Sequence, residues 1–197
     1  MYLKINQKKI TSAELALIVK SLTAGKVIVY PTDTIYGLGC RASDVKAIKK
    51  IKKIKHRDLN KPLVIIVSSL NMAKKYCFIS HKQELVLKKI WQAKRPTSVI
   101  LRHRNLLPDE LAPKQSTLAV RLPKNDFLRK IVKMVGVPLV STSFNISGQP
   151  VWNEVNFLAD QQPGRSGLDL VVDGGKLDNQ ASRIVDLTGK TIKVIRQ

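Results

Sequence analysis

Carboxylates and aromatic rings are scarce in this 197-residue chain: 14 Asp and Glu stand against 35 Lys and Arg, and Phe, Trp and Tyr together make up 5%. The shortage of negative charge leaves a net +21, a field that attracts polyanions such as nucleic acid, nucleotides or an anionic membrane surface. A basic surface that is merely solvated accounts for part of that excess. Cysteine is confined to Cys40 and Cys77, too few for a disulfide framework. His56, His81 and His103 are scattered, without the spacing to Cys or acid that a structural zinc needs. No apolar run reaches the ~20 residues of a membrane span, and the start at Met1-Tyr-Leu-Lys-Ile-Asn6 lacks the apolar core of a signal peptide. Together these absences lead to an expectation of a soluble protein in the reducing cytoplasm, away from membranes.

What is present is an ordinary core: 44% of the residues are hydrophobic, enough for one domain over residues 1–197 with no repeat, low-complexity tract or linker. Thr11-Ser-Ala-Glu14 and Ser80-His-Lys-Gln83 both carry the capping-box pattern ahead of helical apolar spacing. From Asp44, Ala47, Ile48, Ile51 and Ile54 share one helix face while Lys46, Lys49, Lys50 and Lys53 share another, predicting an amphipathic helix with a basic outer side. Asn125 or Asp126 caps a further helix running to Gly136, and strands are predicted at Val27–Tyr30, Leu63–Val67, Ser98–Leu101, Leu118–Leu122 and Leu168–Val172. Arg183–Leu187 and Thr191–Arg196 flank Thr188-Gly-Lys190 as a hairpin. Gln149–Gly167 is rich in Pro, Gly, Asn and Gln and reads as loop with at most one short helix.

Two stretches share one design. Pro138-Leu-Val-Ser-Thr-Ser-Phe-Asn-Ile-Ser-Gly148 and Val27-Ile-Val-Tyr-Pro-Thr-Asp-Thr-Ile-Tyr-Gly-Leu-Gly39 each turn abruptly from apolar residues to hydroxyls and glycine. That pattern predicts buried strands running out into ligand-binding loops beyond their carboxyl ends; the alternative is ordinary turn polarity. Arg121 ends the run Leu118-Ala-Val120 as Ser141 ends Leu139-Val140, which places it at the same sheet edge. Lys55 and Arg57, one residue apart, lie on one side of an extended chain and there grip one phosphate chain; solvated charge is the alternative. Familiar chemistries fail. Gly189-Lys-Thr191 lacks the glycine a P-loop needs at Ile184, Gly37-Leu-Gly-Cys-Arg-Ala42 does not follow its strand directly, and Cys40 has no identifiable base. Arginine, lysine and neutral donors without a nucleophile suit catalysis by positioning and charge stabilisation.

The chain resembles the YrdC/TsaC family of threonylcarbamoyl-adenylate synthases. The matching blocks are Tyr30–Gly39, Lys55-His-Arg57 with Lys61-Pro-Leu63, Ser116–Arg121, Pro138–Gly148, and Ser182–Asp186 with a closing Arg196, in register over nearly the whole length. The resemblance implies an α/β fold: a twisted mixed sheet with surrounding helices and a large positively charged cavity, in the short single-domain form. It implies a nucleotidyltransferase that makes threonylcarbamoyl-AMP and pyrophosphate from L-threonine, bicarbonate and ATP with Mg²⁺, for threonylcarbamoyl modification of the tRNA adenosine beside the anticodon. Lys55, Arg57, Ser143 and Asn145 match its catalytic signatures. Arg57, Lys61, Thr117, Ser143 and Arg196 match ATP-binding positions, and Thr34, Arg121, Ser141 and Ser182 match threonine-binding ones. No protein-held metal site is implied. Downstream tRNA threonylcarbamoyl-transferase proteins and direct binding of tRNA or double-stranded RNA are the implied partners.

Departures from the family pattern are local. Ala93-Lys-Arg-Pro96 stands where a Trp-Pro-Gly-Pro turn is usual, Ser98 replaces a threonine, and Phe144 replaces a small residue; strand-like alternation would turn that ring toward the core. Ile66 takes the place of a histidine found in some longer relatives. The alternative reading from another class is a non-catalytic RNA-binding protein of the same fold, resting on the +21 charge and the lysine face at Lys46–Lys53. Its signature would be affinity that falls steeply with salt and is spread over many lysines.

Overall fold

The computed structural model describes residues 1–155, 167–177 and 179–197. The chain opens with β1 (Tyr2–Lys4), α1 (Ser12–Thr23), β2 (Ile28–Tyr30), β3 (Gly37–Arg41) and α2 (Val45–Ile54). It continues through β4 (Val64–Ile66), α3 (Leu70–Tyr76), α4 (His81–Gln92), β5 (Thr97–Arg102), β6 (Thr117–Arg121), α5 (Asp126–Val135) and β7 (Leu139–Ser143). It closes with β8 (Leu170–Asp173), β9 (Arg183–Asp186) and β10 (Lys193–Arg196). Both predicted capping boxes are formed, at Thr11 with Glu14 and at Ser80 with Gln83. Asn125 caps α5, which ends on Gly136 at φ 78°, the left-handed turn glycine adopts freely.

Among the described residues, ten strands form one sheet in the order β1-β8-β2-β3-β7-β4-β6-β5-β9-β10. The pairs β1–β8, β2–β8, β4–β6 and β5–β9 are parallel and the others antiparallel, the mixed sheet that was expected. Strand alternation divides the apolar residues between two faces. Val29, Leu38, Ile65, Val99, Val120, Val140 and Val185 pack with Ile48 and Ile51 of α2, Tyr76 of α3 and Leu87 of α4. On the other face Ile28, Tyr30, Leu139, Leu170 and Val172 pack under Ile18 and Leu22 of α1 and Leu128, Ile131 and Val132 of α5. Toward β5 and β9 that second face is the floor of a cavity.

Four elements carry no sequence signal read above: β1, β3, the short α3 and a single 3-10 turn at Asp109–Leu111. In β3 the glycines are requirements of close packing. A Cβ on Gly39 would lie 2.2 Å from the Val140 carbonyl oxygen and 2.7 Å from the Tyr30 hydroxyl, so the Tyr30 ring can cross the sheet only over a bare backbone. Of the loop predicted over Gln149–Gly167, residues 156–166 lie outside the described residues. Phe144 is 3% exposed and joins the core beneath α2, α3 and α4, as alternation required. No helix among the described residues is long and apolar enough to cross a membrane.

Candidate active site

The cavity holds about 370 Å³, within the usual range for a small-ligand site. Its floor repeats one side of several strands: Val64 and Ile66, Ser98 and Ile100, Thr117 and Arg121, Ser141 and Ser143, Ser182 and Ile184. Register aligns these rows, with Val64 opposite Ser141 and Ala119, and Ile66 opposite Arg121. The hydroxyl loops expected beyond the strand ends are therefore corrected: Ser141, Thr142 and Ser143 belong to β7 itself, paired to Gly39, Leu38 and Gly37. The site lies on the sheet face. Small hydroxyl side chains are compatible with a strand, and β3 supplies the hydrogen-bonding partner that lets β7 continue past Val140.

Arg121 is buried, with its side chain 8% exposed. Its Nη1 donates to Thr34 Oγ1 at 3.0 Å and its Nη2 to Asp33 Oδ1, while its Nε has no partner. Burial pulls the Arg121 pKa down, and Asp33 partly offsets that. On the neighbouring strand β5, Ser98 follows in register beside Arg121, since Val99 pairs with Val120, and its hydroxyl sits 3.1 Å from that of Ser182. Arg196 reaches this corner because β10 carries a bulge. Val194 pairs with Val185, but Arg196, not Ile195, pairs with Ile184. The extra residue brings Arg196 opposite a cavity-lining position, where its Nε and Nη2 donate to the Ser182 carbonyl at 3.1 and 2.5 Å. Burial, then the Arg121 charge, lowers its pKa.

A second hollow of about 250 Å³ adjoins the first at Arg57 and Ser143 and is also lined by Lys55, His56, Lys61, Asn145 and Ser147. The chain here is not extended as predicted. Lys55 closes α2, the His56 N–H bonds the Lys53 carbonyl at 3.1 Å, and the Arg57 N–H bonds the Lys52 carbonyl at 2.9 Å. This is a Schellman turn, and His56 occupies its left-handed position at φ 48°. The two cations meet different partners, though both line the smaller hollow. Lys55 donates to Ser143 O at 2.5 Å and to Asn145 O and Oδ1 at 2.8 Å, using all three of its protons to pin the end of β7. Burial and then Arg57 lower its pKa to about 8. Arg57 lines both hollows, and its Nη2 donates to Pro62 O at 2.8 Å. Ser143 Oγ and Asn145 Oδ1 are 2.7 Å apart.

Every candidate residue therefore lines one of two adjoining hollows. Thr34, Arg57, Thr117, Arg121, Ser141, Ser143, Ser182 and Arg196 line the larger, and Lys55, Arg57, Lys61, Ser143 and Asn145 line the smaller. Asp33, Thr32, Tyr36, Gln115 and Val151 also meet the site and were not singled out. Thr32, Asp33 and Tyr36 lie inside the matching block Tyr30–Gly39, whereas Gln115 and Val151 stand in no motif. Cys40 is fully buried, which pushes its thiol up and away from nucleophilic use.

The family described as telomere recombination, Sua5/YciO/YrdC, matches residues 20–197. The chain belongs to the Sua5/YciO/YrdC family. Among Sua5/YciO/YrdC relatives it is similar to the threonylcarbamoyl-AMP synthase of Pyrococcus abyssi, 30% identical over 169 residues that cover 83% of this chain and 48% of that protein. It is similar to the Pseudomonas fluorescens threonylcarbamoyl-AMP synthase, 32% identical over 88% of this chain and 93% of that protein. Its fold is similar to P. abyssi Sua5 complexed with L-threonine, with a TM-score of 0.89 at 25% identity over 100% of this chain and 57% of that one. The chain thus spans about half the length of the archaeal relative and 62% of a bovine one.

Proposed function

We propose that the chain is an L-threonylcarbamoyladenylate synthase acting for tRNA modification in the cytoplasm. One observation carries the reading: Arg57, Arg121 and Arg196 share a single cavity with the hydroxyls of Thr34, Thr117, Ser141, Ser143 and Ser182, and no activated nucleophile lies among them. The names of its relatives, and the L-threonine held by one of them, support the same substrates. ATP, threonine and bicarbonate are all anionic or carry carboxylates, so gathering them needs concentrated cations.

In this reading Arg121 takes the threonine carboxylate, with Thr34, Ser141 and Ser182 orienting the amino acid. Threonine's amine and bicarbonate give a carbamate and water. A carbamate oxygen attacks the α-phosphorus, the bond to the bridging oxygen of the β-phosphate breaks, and pyrophosphate leaves. Arg57 and Lys61 neutralise the phosphates from the smaller hollow, and Thr117 and Arg196 hold the nucleotide side. Lys55 and Asn145 keep Ser143 in place between the two hollows. No group of three His, Cys, Asp or Glu able to cage a metal exists among the described residues. Mg²⁺ would come with the ATP phosphates, the Ser143 hydroxyl being an oxygen that would help hold it, and would neutralise phosphate charge. The pinned β7 end limits water near a carbamate that otherwise loses carbon dioxide.

The product would pass to tRNA threonylcarbamoyl-transferase proteins, and exposed lysines on α2 would assist contact with tRNA or double-stranded RNA. The test is to incubate the purified chain with ATP, Mg²⁺, bicarbonate and labelled threonine. Pyrophosphate release should require threonine and yield labelled threonylcarbamoyl-AMP; release that ignores threonine would point to another acceptor.

A further inference from the structure

In the proposed function Arg121 takes the amino-acid carboxylate, and a buried guanidinium recognises a carboxylate best when its plane is held in one orientation. Its anchor is the loop between β2 and β3. Asp33 Oδ1 accepts from Arg121 Nη2, and the same carboxylate's Oδ2 accepts from the Lys124 backbone N–H at 3.0 Å. One carboxylate thus ties the head of Arg121 to the backbone three residues downstream of it. The loop carrying Asp33 is itself braced: Thr32 Oγ1 lies 2.9 Å from Thr34 Oγ1 and bonds the Ile35 carbonyl at 2.7 Å, and the Thr34 N–H donates back to Thr32 Oγ1 at 3.0 Å. Thr34 Oγ1 then takes Arg121 Nη1. With both outer nitrogens bonded, rotation of the guanidinium would break those bonds, and its buried Nε is left without a protein partner.

We infer that Asp33 is a positioning residue for amino-acid recognition, acting through Arg121 by clamping its guanidinium against the β2–β3 loop. The inference rests on the reading of the cavity as a threonine site. The hydrogen bonds of the Asp33 side chain go to Arg121 and the Lys124 N–H rather than to Thr117, Arg196, Lys55 or Asn145, so its loss should be felt by one substrate.

Steady-state kinetics and calorimetric binding of L-threonine on the full chain test it. In Asp33→Asn, KM for threonine should rise at least tenfold while KM for ATP stays within twofold. In an Arg121→Lys background, adding Asp33→Asn should raise the threonine KM by less than threefold, because the clamp has lost its geometry. Asp33→Glu, which keeps the charge, should recover part of the loss and serves for the same cycle if Asp33→Asn does not fold. Equal increases in both KM values, full additivity with Arg121→Lys, or a lower threonine KM in Asp33→Asn would each overturn the inference. Absence of threonine-dependent turnover and of threonine binding in the wild type would instead overturn the threonine-site reading, so the two failures are distinguishable.

Discussion

One face of the sheet is finished in two different ways. Under α1 and α5 its strands offer Ile28, Tyr30, Leu139, Leu170 and Val172, whereas toward β5 and β9 the same face offers Ser98, Thr117, Arg121, Ser141 and Ser182. Two strands cross the boundary: β7 supplies Leu139 to the covered half and Ser141 and Ser143 to the open one, and β4 supplies Ile66 to the covered cluster and Val64 to the cavity. Apolar side chains gain by being covered, about 1.5–3 kcal/mol for each large one. Hydroxyls and guanidinium groups would lose by it unless every polar atom found a partner. Helices therefore dock on one half, and the other stays open as the cavity. Stability and ligand access are assigned to opposite halves of one sheet face.

The strongest way to break that division is to cut into the covered half. Leu128 of α5 is fully buried, and Leu128→Ala should lose about 2–5 kcal/mol of stability in urea denaturation. Its threonine and ATP KM values should be unchanged below the melting transition. Ser141→Ala, on the open half, should do the reverse: little change in stability and a raised threonine KM. A kinetic defect in Leu128→Ala would show that the two halves are coupled.

Lys55 sharpens the comparison because it is a buried cation serving the open half. Its native pKa of about 8 lies below the ~10.4 of a free lysine, so between those values the unfolded chain binds the proton more strongly. Stability therefore rises with pH across that window, and the cost of the buried charge is fully present below it. Relative to Lys55→Met, the wild type should gain on the order of 2 kcal/mol between pH 7 and 10.5, read from denaturation midpoints. Turnover should move the other way over the same range, because a neutral amine has two N–H donors for the three acceptors at Ser143 and Asn145. A smaller effect is expected from Arg57→Ala, which removes a cation shared by both hollows. It should cut threonylcarbamoyl-AMP formation at least tenfold, about 1.4 kcal/mol, and near-normal turnover would remove Arg57 from the proposed machinery.

How far this was legible differs between the halves. Caps and periodicity announced α1, α2, α4 and α5, because Thr11, Asp44, Ser80 and Asn125 act on their own neighbours in sequence. The site residues were reachable through the family blocks, yet their arrangement was not. Ser141 reads as loop because the strand partner that keeps it extended, Gly39, is a hundred residues away. Gly37 and Gly39 read as turn glycines, whereas their reason is the Tyr30 ring laid across them. Asp33 gave no sign of its tie to Arg121 and Lys124. Nothing in Lys193-Val-Ile-Arg196 revealed the bulge that brings Arg196 round to Ile184, since a bulge is a property of the paired strand as much as of the bulged one.

The finest test concerns the turn that joins Lys55 to Arg57. His56 holds the left-handed position of the Schellman motif at φ 48°, where a Cβ is strained and glycine is the usual occupant. The backbone bonds Arg57 N–H to Lys52 O and His56 N–H to Lys53 O do not depend on the imidazole. His56→Gly should therefore keep the turn and add up to ~1 kcal/mol of stability, with KM for ATP unchanged. If stability rises but ATP binding weakens, the imidazole at the rim of the smaller hollow contributes to the nucleotide, and the site extends past the Lys-x-Arg pair. If stability falls, the turn is held by the side chain, and the strain argued from the backbone angle is not what limits this corner of the open half.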